Sequence, residues 1–112
     1  MQEITWKEFE KVELRVGTIL DVHDFPEAKK PAYQLTIDFG DEIGLRKSSA
    51  QITTHYTKED LIGKQIIAVL NFPKKQIANF MSECLVTGFA DEKGAVVLAA
   101  VDTQVPNGSK LI

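Results

Sequence analysis

Apolar residues in this sequence fall into short runs that alternate with polar ones, which is the pattern of β-strands. The longest run, Leu14–His23, would place Leu14, Val16, Thr18, Leu20 and Val22 on one face and Ile19 on the other. Gly17 lies inside this run, where a glycine often marks a bend or bulge. Further strands are predicted over Tyr33–Phe39, Ile43–Lys47, Gln65–Asn71, Glu83–Phe89 and Ala95–Ala100, with a short edge strand at Lys110–Ile112. The chain is therefore predicted to be all-β.

Capping signals predict short helices between these strands. The segment Thr5–Glu8 has the capping-box pattern, so a helix is predicted over Trp6–Lys11. Thr57–Asp60 offers a similar start after the third strand, and Ser48–Gln51 offers another. Short strands with a helical insertion between the third and fourth fit a five-stranded Greek-key barrel of the OB type. A β-sandwich is the alternative, and the bend at Gly17 favours the barrel.

The length of 112 residues fits a single domain over residues 1–112, because domains cluster at about 100–150 residues. Its 44% hydrophobic and 26% charged residues are typical of a globular protein and exclude a disordered one. The longest apolar run is far shorter than the ~20 residues of a membrane-spanning helix, and the N-terminus lacks a secretory pattern. We therefore expect a cytoplasmic protein without membrane insertion.

The distribution of charge bears on nucleic-acid binding. A formal net charge of −3 argues against binding through overall electrostatics, for which a strongly basic domain is usual. Residues 43–83 nevertheless carry 6 basic and 3 acidic side chains, counted along the sequence. Any RNA contact is therefore expected to be local and sensitive to salt.

The segment Asn71–Glu83 is predicted to be a surface loop between two core strands. Pro73 has no N–H for a sheet ladder, so the preceding strand should stop near Phe72. Lysines beside apolar rings are what a surface for a polyanion or a chain segment needs. The alternative is a solvated connection whose phenylalanines fold back into the core.

The sequence offers no credible catalytic or metal-binding set. His23 and His55 are separated along the chain, with no cysteine or carboxylate at metal-ligand spacing. Cys84 lies in an apolar run and cannot form an internal disulfide, so a buried thiol is expected. Ser82 lacks the context of a hydrolase nucleophile. A non-enzymatic protein without a cofactor is therefore predicted.

Several segments resemble a known family, the tRNA-binding OB domain fused to some methionyl- and tyrosyl-tRNA synthetases. These segments are Val12–Ile19, Ile37–Gly40, Asn71–Ile77 and Ser82–Val86. Within that family, the features most similar to the stand-alone export-related bacterial chaperones are Asp38–Gly44, Ser48–Thr53 and Val105–Gly108. The resemblance covers the whole chain. It implies an OB barrel, a homodimer built from N- and C-terminal extensions, and a chaperone that binds unfolded polypeptide or preprotein and retains RNA binding.

Two binding hypotheses follow. For tRNA or other RNA, the resemblance places at the nucleic-acid face Arg46, Asn71, Lys74, Lys75, Ser82 and Glu83, and Lys47 would join the phosphate contacts. For unfolded polypeptide, an apolar recess would be lined by Phe72, Ile77, Phe80 and Met81, since methionine and aromatic side chains tolerate varied sequences. The acidic total charge favours polypeptide handling with weaker RNA binding. The alternative is primarily a tRNA-binding module that acts with tRNA or a synthetase.

Apolar side chains near both termini predict a homodimer. A small barrel would find it hard to bury all of them, and a two-fold interface would cover them. The predicted interface residues are Trp6, Phe9, Val105, Leu111 and Ile112. The alternative is that they cap the ends of a monomeric barrel.

Overall fold

The computed structural model describes residues 1–112, which form two short helices and nine strands. Strands hold far more residues than helices, which are only five and four residues long. In chain order the elements are α1 (Trp6–Glu10), β1 (Leu14–Asp24), β2 (Tyr33–Asp38), β3 (Leu45–Ala50), α2 (Lys58–Leu61), β4 (Gln65–Val69), β5 (Lys75–Ile77), β6 (Phe80–Ser82), β7 (Leu85–Val86), β8 (Gly88–Ala90) and β9 (Val96–Leu98). No helix is long and apolar enough to span a membrane.

Five strands form one antiparallel sheet in the order β3-β2-β1-β4-β7. The two outer strands approach each other, because the Glu83 backbone N–H donates to the Lys47 carbonyl over 2.8 Å. The Ser48 hydroxyl adds a hydrogen bond to the Cys84 carbonyl at 3.2 Å. The sheet is therefore a nearly closed five-stranded barrel, which confirms the predicted OB architecture.

Both predicted capping boxes form. The Thr5 hydroxyl accepts from the Glu8 N–H while the Glu8 carboxylate accepts from the Thr5 N–H, and Thr57 and Asp60 repeat the arrangement on α2. The helical turn suggested at Ser48–Gln51 is wrong. Residues 48–50 continue β3, because pairing with β2 and burial of Ser48 outweigh a local capping preference.

A bulge in β1 changes which side chains enter the core. Ile19 pairs with Ile37 and Asp21 with Thr36, so Leu20 is an extra residue. Ile19 is fully buried while Leu20 is 48% exposed, so the prediction that Leu20 shares a face with the buried Val16 and Val22 is wrong. The irregularity lies after Gly17. At Gly17 a β-carbon would come within 2.7 Å of the Phe39 ring, so this glycine permits close packing.

The segment between β4 and β7 is not an open loop, which corrects the prediction. Strand β4 ends at Val69, and residues 75–82 form a hairpin in which β5 pairs with β6. Ala78 and Asn79 form its two-residue turn, and Ala78 has a φ of 50°.

The predicted strand Glu83–Phe89 is divided into two strands, β7 and β8. Strand β7 belongs to the barrel, whereas β8 leaves the barrel and pairs with β9.

The C-terminal segment, residues 105–111, closes one side of the barrel against β1. The Gly108 N–H donates to the Val16 carbonyl at 2.7 Å, and the Leu111 N–H donates to the Leu14 carbonyl at 2.9 Å. The predicted edge strand at Lys110–Ile112 is reduced to a single bridge between Arg15 and Lys110. This segment therefore packs against the barrel beside its core.

Candidate binding surfaces

The barrel seam, where β3 meets the start of β7, brings together four of the predicted nucleic-acid residues, Lys47, Lys74, Ser82 and Glu83. The Glu83 carboxylate accepts from the Lys47 backbone N–H at 3.0 Å, and its other oxygen lies 3.5 Å from the Lys74 ammonium. The buried Ser82 hydroxyl accepts from the Ser49 N–H at 3.2 Å. Ser82 and Glu83 therefore hold the seam together, and the Lys47 side chain remains exposed beside them.

Asn71 also has a structural role in this arrangement. Its side-chain oxygen accepts from the Glu13 N–H at 3.0 Å, and its side-chain nitrogen donates to the Lys11 carbonyl. These bonds tie the end of β4 to the connection between α1 and β1. Both polar ends of the Asn71 amide are thus already engaged. Arg46, another predicted nucleic-acid residue, lies on β3, is partly buried and makes no ion pair.

The β5–β6 hairpin has two different faces. Paired residues of antiparallel strands share a face, so Ile77 and Phe80 lie together, as do Gln76 and Met81. The Phe80 ring packs against the buried Phe25 ring with centroids 5.5 Å apart, so this face turns towards the barrel. Met81 lies on the outer face and is exposed. The structure therefore separates Met81 from the other predicted peptide-binding residues.

An apolar recess adjoins the hairpin. Its volume is about 360 Å³, and it includes two of the predicted peptide-binding residues, Phe72 and Ile77. Phe72 is 57% exposed, so a large ring remains available to a ligand at its rim. The remaining lining residues, none of which is in the predicted peptide-binding set, are Pro73, Lys75, Ser82, Cys84 and Leu85.

The Cys84 thiol at the recess is unsuited to nucleophilic chemistry. Burial raises its pKa from the usual 9.0 to about 12, because desolvation disfavours the thiolate. The side chain is buried and lies among apolar residues. It therefore contributes an apolar wall to the recess.

A basic cleft of about 550 Å³ adjoins the same hairpin and shares Lys75 and Ile77 with the apolar recess. Lys29 and Lys30 of the β1–β2 loop come together there with Lys75 of β5, and no carboxylate lies within ion-pairing distance of these three lysines. Glu27 is the one acidic residue in the lining, and the others are Ala28, Ala32, Ser49, Gln51, Gln76, Ile77 and Ala78. From the sequence alone, Lys29 and Lys30 are interpreted as solubilising charges in a loop between two prolines rather than as a partner contact. Their position beside Lys75 is visible only in the folded chain.

The predicted interface residues occur in two neighbouring groups. Trp6 is 65% exposed, and its ring packs on Phe9 at 5.4 Å between centroids. The C-terminal group, Val105, Leu111 and Ile112, lines an apolar groove of about 210 Å³ beside β1 and β4. Lys110 links the two groups, since its ammonium donates to the Glu10 carbonyl at 3.1 Å.

Both histidines are engaged with single carboxylates. His23 lies 2.7 Å from Asp21, and His55 lies 2.7 Å from Asp91. The hydrogen bond from His55, together with the N–H groups of Ala95 and Lys93, lowers the pKa of Asp91. Nowhere do three histidine, cysteine or acidic side chains come together as a metal site would require.

Comparison with known proteins identifies the family to which this barrel belongs. Residues 14–110 match the family described as "Putative tRNA binding domain". The chain is 34% identical over 111 residues to the methionine–tRNA ligase of Methanocaldococcus jannaschii. The aligned region covers 99% of this chain but only 17% of that ligase. The chain thus spans about a sixth of the length of such relatives.

Similar solved structures include proteins of the same size. The crystal structure of the chaperone CsaA from Bacillus anthracis has a TM-score of 0.92 and 48% identity, covering 99% of this chain and 100% of that one. CsaA from Picrophilus torridus has a TM-score of 0.90 and 55% identity, covering 98% and 100%. This chain therefore belongs to the tRNA-binding domain family and, within it, is similar over nearly its whole length to the CsaA chaperones.

Proposed function

We propose that this protein is a non-enzymatic, homodimeric chaperone of the cytoplasm that binds unfolded polypeptides, including precursors destined for export. The apolar recess between Phe72, Ile77 and Leu85 is the observation that carries the proposal. Exposed aromatic and aliphatic groups around a concave surface suit an apolar segment of unfolded chain. The sequence is identical to those of two CsaA chaperones at about half of all aligned positions, which supports the proposal of a chaperone.

An NMR titration with an extended apolar peptide tests polypeptide binding. We expect chemical-shift changes and protection at Phe72 and Ile77, with a smaller response at the outward-facing Met81. Phe72→Ser should weaken binding, because it removes an exposed ring from the rim of the recess. Phe89→Ser is the matched control, since Phe89 is also exposed but lies on β8. Chemical-shift changes confined to other faces of the protein would show that the recess is not the polypeptide-binding site.

A second candidate function is tRNA binding on the same barrel. The basic cleft is the specific observation in its favour, because it joins the β1–β2 loop to the segment after β4. In OB folds the equivalent loops and the adjacent strand face bind oligonucleotides. Lys47 and Lys74 would extend the contacts along the seam, and Phe72 would offer a stacking surface.

Salt and charge reversal test the tRNA proposal. We expect tRNA affinity to fall with rising salt, and to fall further in a Lys74→Glu plus Lys75→Glu variant. Lys93→Glu, in the turn between β8 and β9, is the control for a charge reversal outside this surface. An affinity that responds neither to salt nor to the double substitution would reject this surface.

A homodimer is part of the proposed function. The Lys110–Glu10 hydrogen bond joins the two terminal groups, and Trp6, Leu111 and Ile112 in them expose large apolar side chains. Covering such groups is the usual reason for a two-fold interface in a small domain. Dimerisation would also present two recesses to one polypeptide and so increase avidity.

A further inference from the structure

We propose that a bound polypeptide adds a strand to the free edge of β5, placing an apolar side chain in the apolar recess and an acidic one in the basic cleft. This inference rests on the polypeptide binding proposed above and specifies its geometry and sequence preference. Three features of the structure support strand addition: the unpaired edge of β5, the two cavities that adjoin this strand, and the lysines without ion pairs in one of these cavities.

The outer edge of β5 has no strand beside it, since β5 pairs with β6 alone. In a hairpin with a two-residue turn, the pair next to the turn is hydrogen-bonded and the following pair is not. Ile77 and Phe80 form the first of these pairs, and Gln76 and Met81 form the second. The Gln76 N–H and C=O therefore point away from β6, and no backbone group outside the hairpin bonds to them. Such an edge is a template for another strand.

Both cavities adjoin this strand. Lys75 and Ile77 line the apolar recess and also the basic cleft. The recess extends towards Phe72 before β5, whereas the cleft extends towards Ala78 after it. Alternate side chains of a strand point the same way and lie about 7 Å apart. An added strand would therefore place two side chains, separated by one residue, in the two cavities.

The chemistry of the cavities sets the preferred side chains. The recess is walled by Phe72, Ile77 and Leu85, which suits an aliphatic or aromatic residue. The cleft brings three lysines together against one glutamate, so it favours a carboxylate over an ammonium group. The alternating N–H and C=O of a strand edge match a polypeptide backbone, and a nucleic acid has no equivalent ladder. A polypeptide is therefore the occupant that uses all three features.

N-methylation of a peptide tests the mode of binding. The probe is a fluorescent heptapeptide, Ser-Thr-Leu-Thr-Glu-Thr-Ser, measured by anisotropy, with each backbone nitrogen methylated in turn. Gln76 is the one β5 residue whose N–H and C=O face outward, so methylation of the peptide nitrogen that donates to its carbonyl should weaken binding about 2- to 10-fold, whereas methylation of the nitrogen on either side should not. A peptide that binds without this contrast between neighbouring nitrogens would overturn strand addition and leave polypeptide binding intact.

Exchange of charge tests the sequence preference. The Lys29→Glu plus Lys30→Glu variant should bind the probe about 2- to 5-fold more weakly, and it should gain affinity for a probe with lysine in place of glutamate. Lys93→Glu should change neither affinity. Equal responses of the two probes would overturn the role of the cleft. If neither probe binds while the apolar peptide of the NMR titration does, this inference fails and the proposed function stands. If no peptide binds, both fail.

Discussion

At the scale of single residues, Leu20 determines which side chains of β1 enter the core. As the extra residue of a bulge, it shifts the alternation between Ile19 and Val22, so that both are buried although they are three positions apart. An alternating pattern read from the sequence assumes an uninterrupted ladder. The inward position of Ile19 follows only when the pairing with β2 is known.

Alanine substitutions at the bulge should reveal this difference. We expect Ile19→Ala to lower the free energy of unfolding by about 2–5 kcal/mol, because it leaves a cavity in the core. Leu20→Ala should cost less than about 1 kcal/mol, since its side chain is half exposed. Urea denaturation of both variants measures the difference. Equal losses, or a larger loss at Leu20, would contradict the bulge.

The pKa of Cys84 predicts a specific dependence of stability on pH. In the folded protein its pKa is about 12, whereas the ordinary value is 9.0. The folded state therefore retains a proton that the unfolded state releases, so this contribution is complete below about pH 9 and is lost as the pH rises towards 12. The loss is at most about 1.4 kcal/mol per pH unit.

Comparison with Cys84→Ala isolates that effect from other groups that titrate at high pH. The difference in the free energy of unfolding between the two proteins, measured in urea from pH 8 to pH 10.5, should move in favour of Cys84→Ala as the pH rises. A difference that stays constant across this range would show that the thiol titrates normally in the folded protein.

At the scale of elements, the C-terminal segment depends on a few long-range polar contacts. The Asn107 side-chain oxygen accepts from the Thr18 hydroxyl at 2.8 Å and from the Gln65 amide nitrogen at 3.0 Å. Asn107→Ala leaves both donors without this acceptor, so we expect a loss of about 1–3 kcal/mol in unfolding free energy. The midpoint of urea denaturation reports this loss.

Asn107→Asp is the matched control, because an aspartate retains an oxygen that can accept both hydrogen bonds. It should keep most of the stability that Asn107→Ala loses. If the two variants were equally destabilised, the acceptor role of Asn107 would be wrong. Gly108 is the adjacent constraint, since a β-carbon there would come within 2.6 Å of the Phe39 carbonyl oxygen.

At the scale of the whole molecule, exposed apolar side chains at both termini predict the oligomeric state. At micromolar concentration, sedimentation equilibrium should give twice the chain mass of 12.5 kDa. Trp6→Glu combined with Leu111→Glu should give the single-chain mass, because it places charges where the interface is predicted. Phe89→Glu, on the exposed face of β8, should leave the dimer intact. A wild-type species of 12.5 kDa would exclude the homodimer.

The sequence determined the elements whose signals are local. Two capping boxes fixed the starts of α1 and α2, and the regular alternation of Tyr33–Asp38 fixed the buried face of β2. The residues near Lys74 and Phe72 also marked the region that the structure shows to be concave and partly exposed. Each of these signals depends on residues within a few positions along the chain, so it can be read from the sequence without knowledge of long-range contacts.

Tertiary structure decided what depends on distant partners. The bulge at Leu20 needs β2, and the course of Ser48–Ala50 as a strand needs Tyr33–Leu35 opposite. The basic cleft needs a turn of the chain that brings Lys29 and Lys30, more than forty positions away, beside Lys75. The roles of Asn71 and Glu83 as structural ties likewise appear only when the barrel closes. Long-range pairing sets the surroundings of these residues, and no local pattern encodes it.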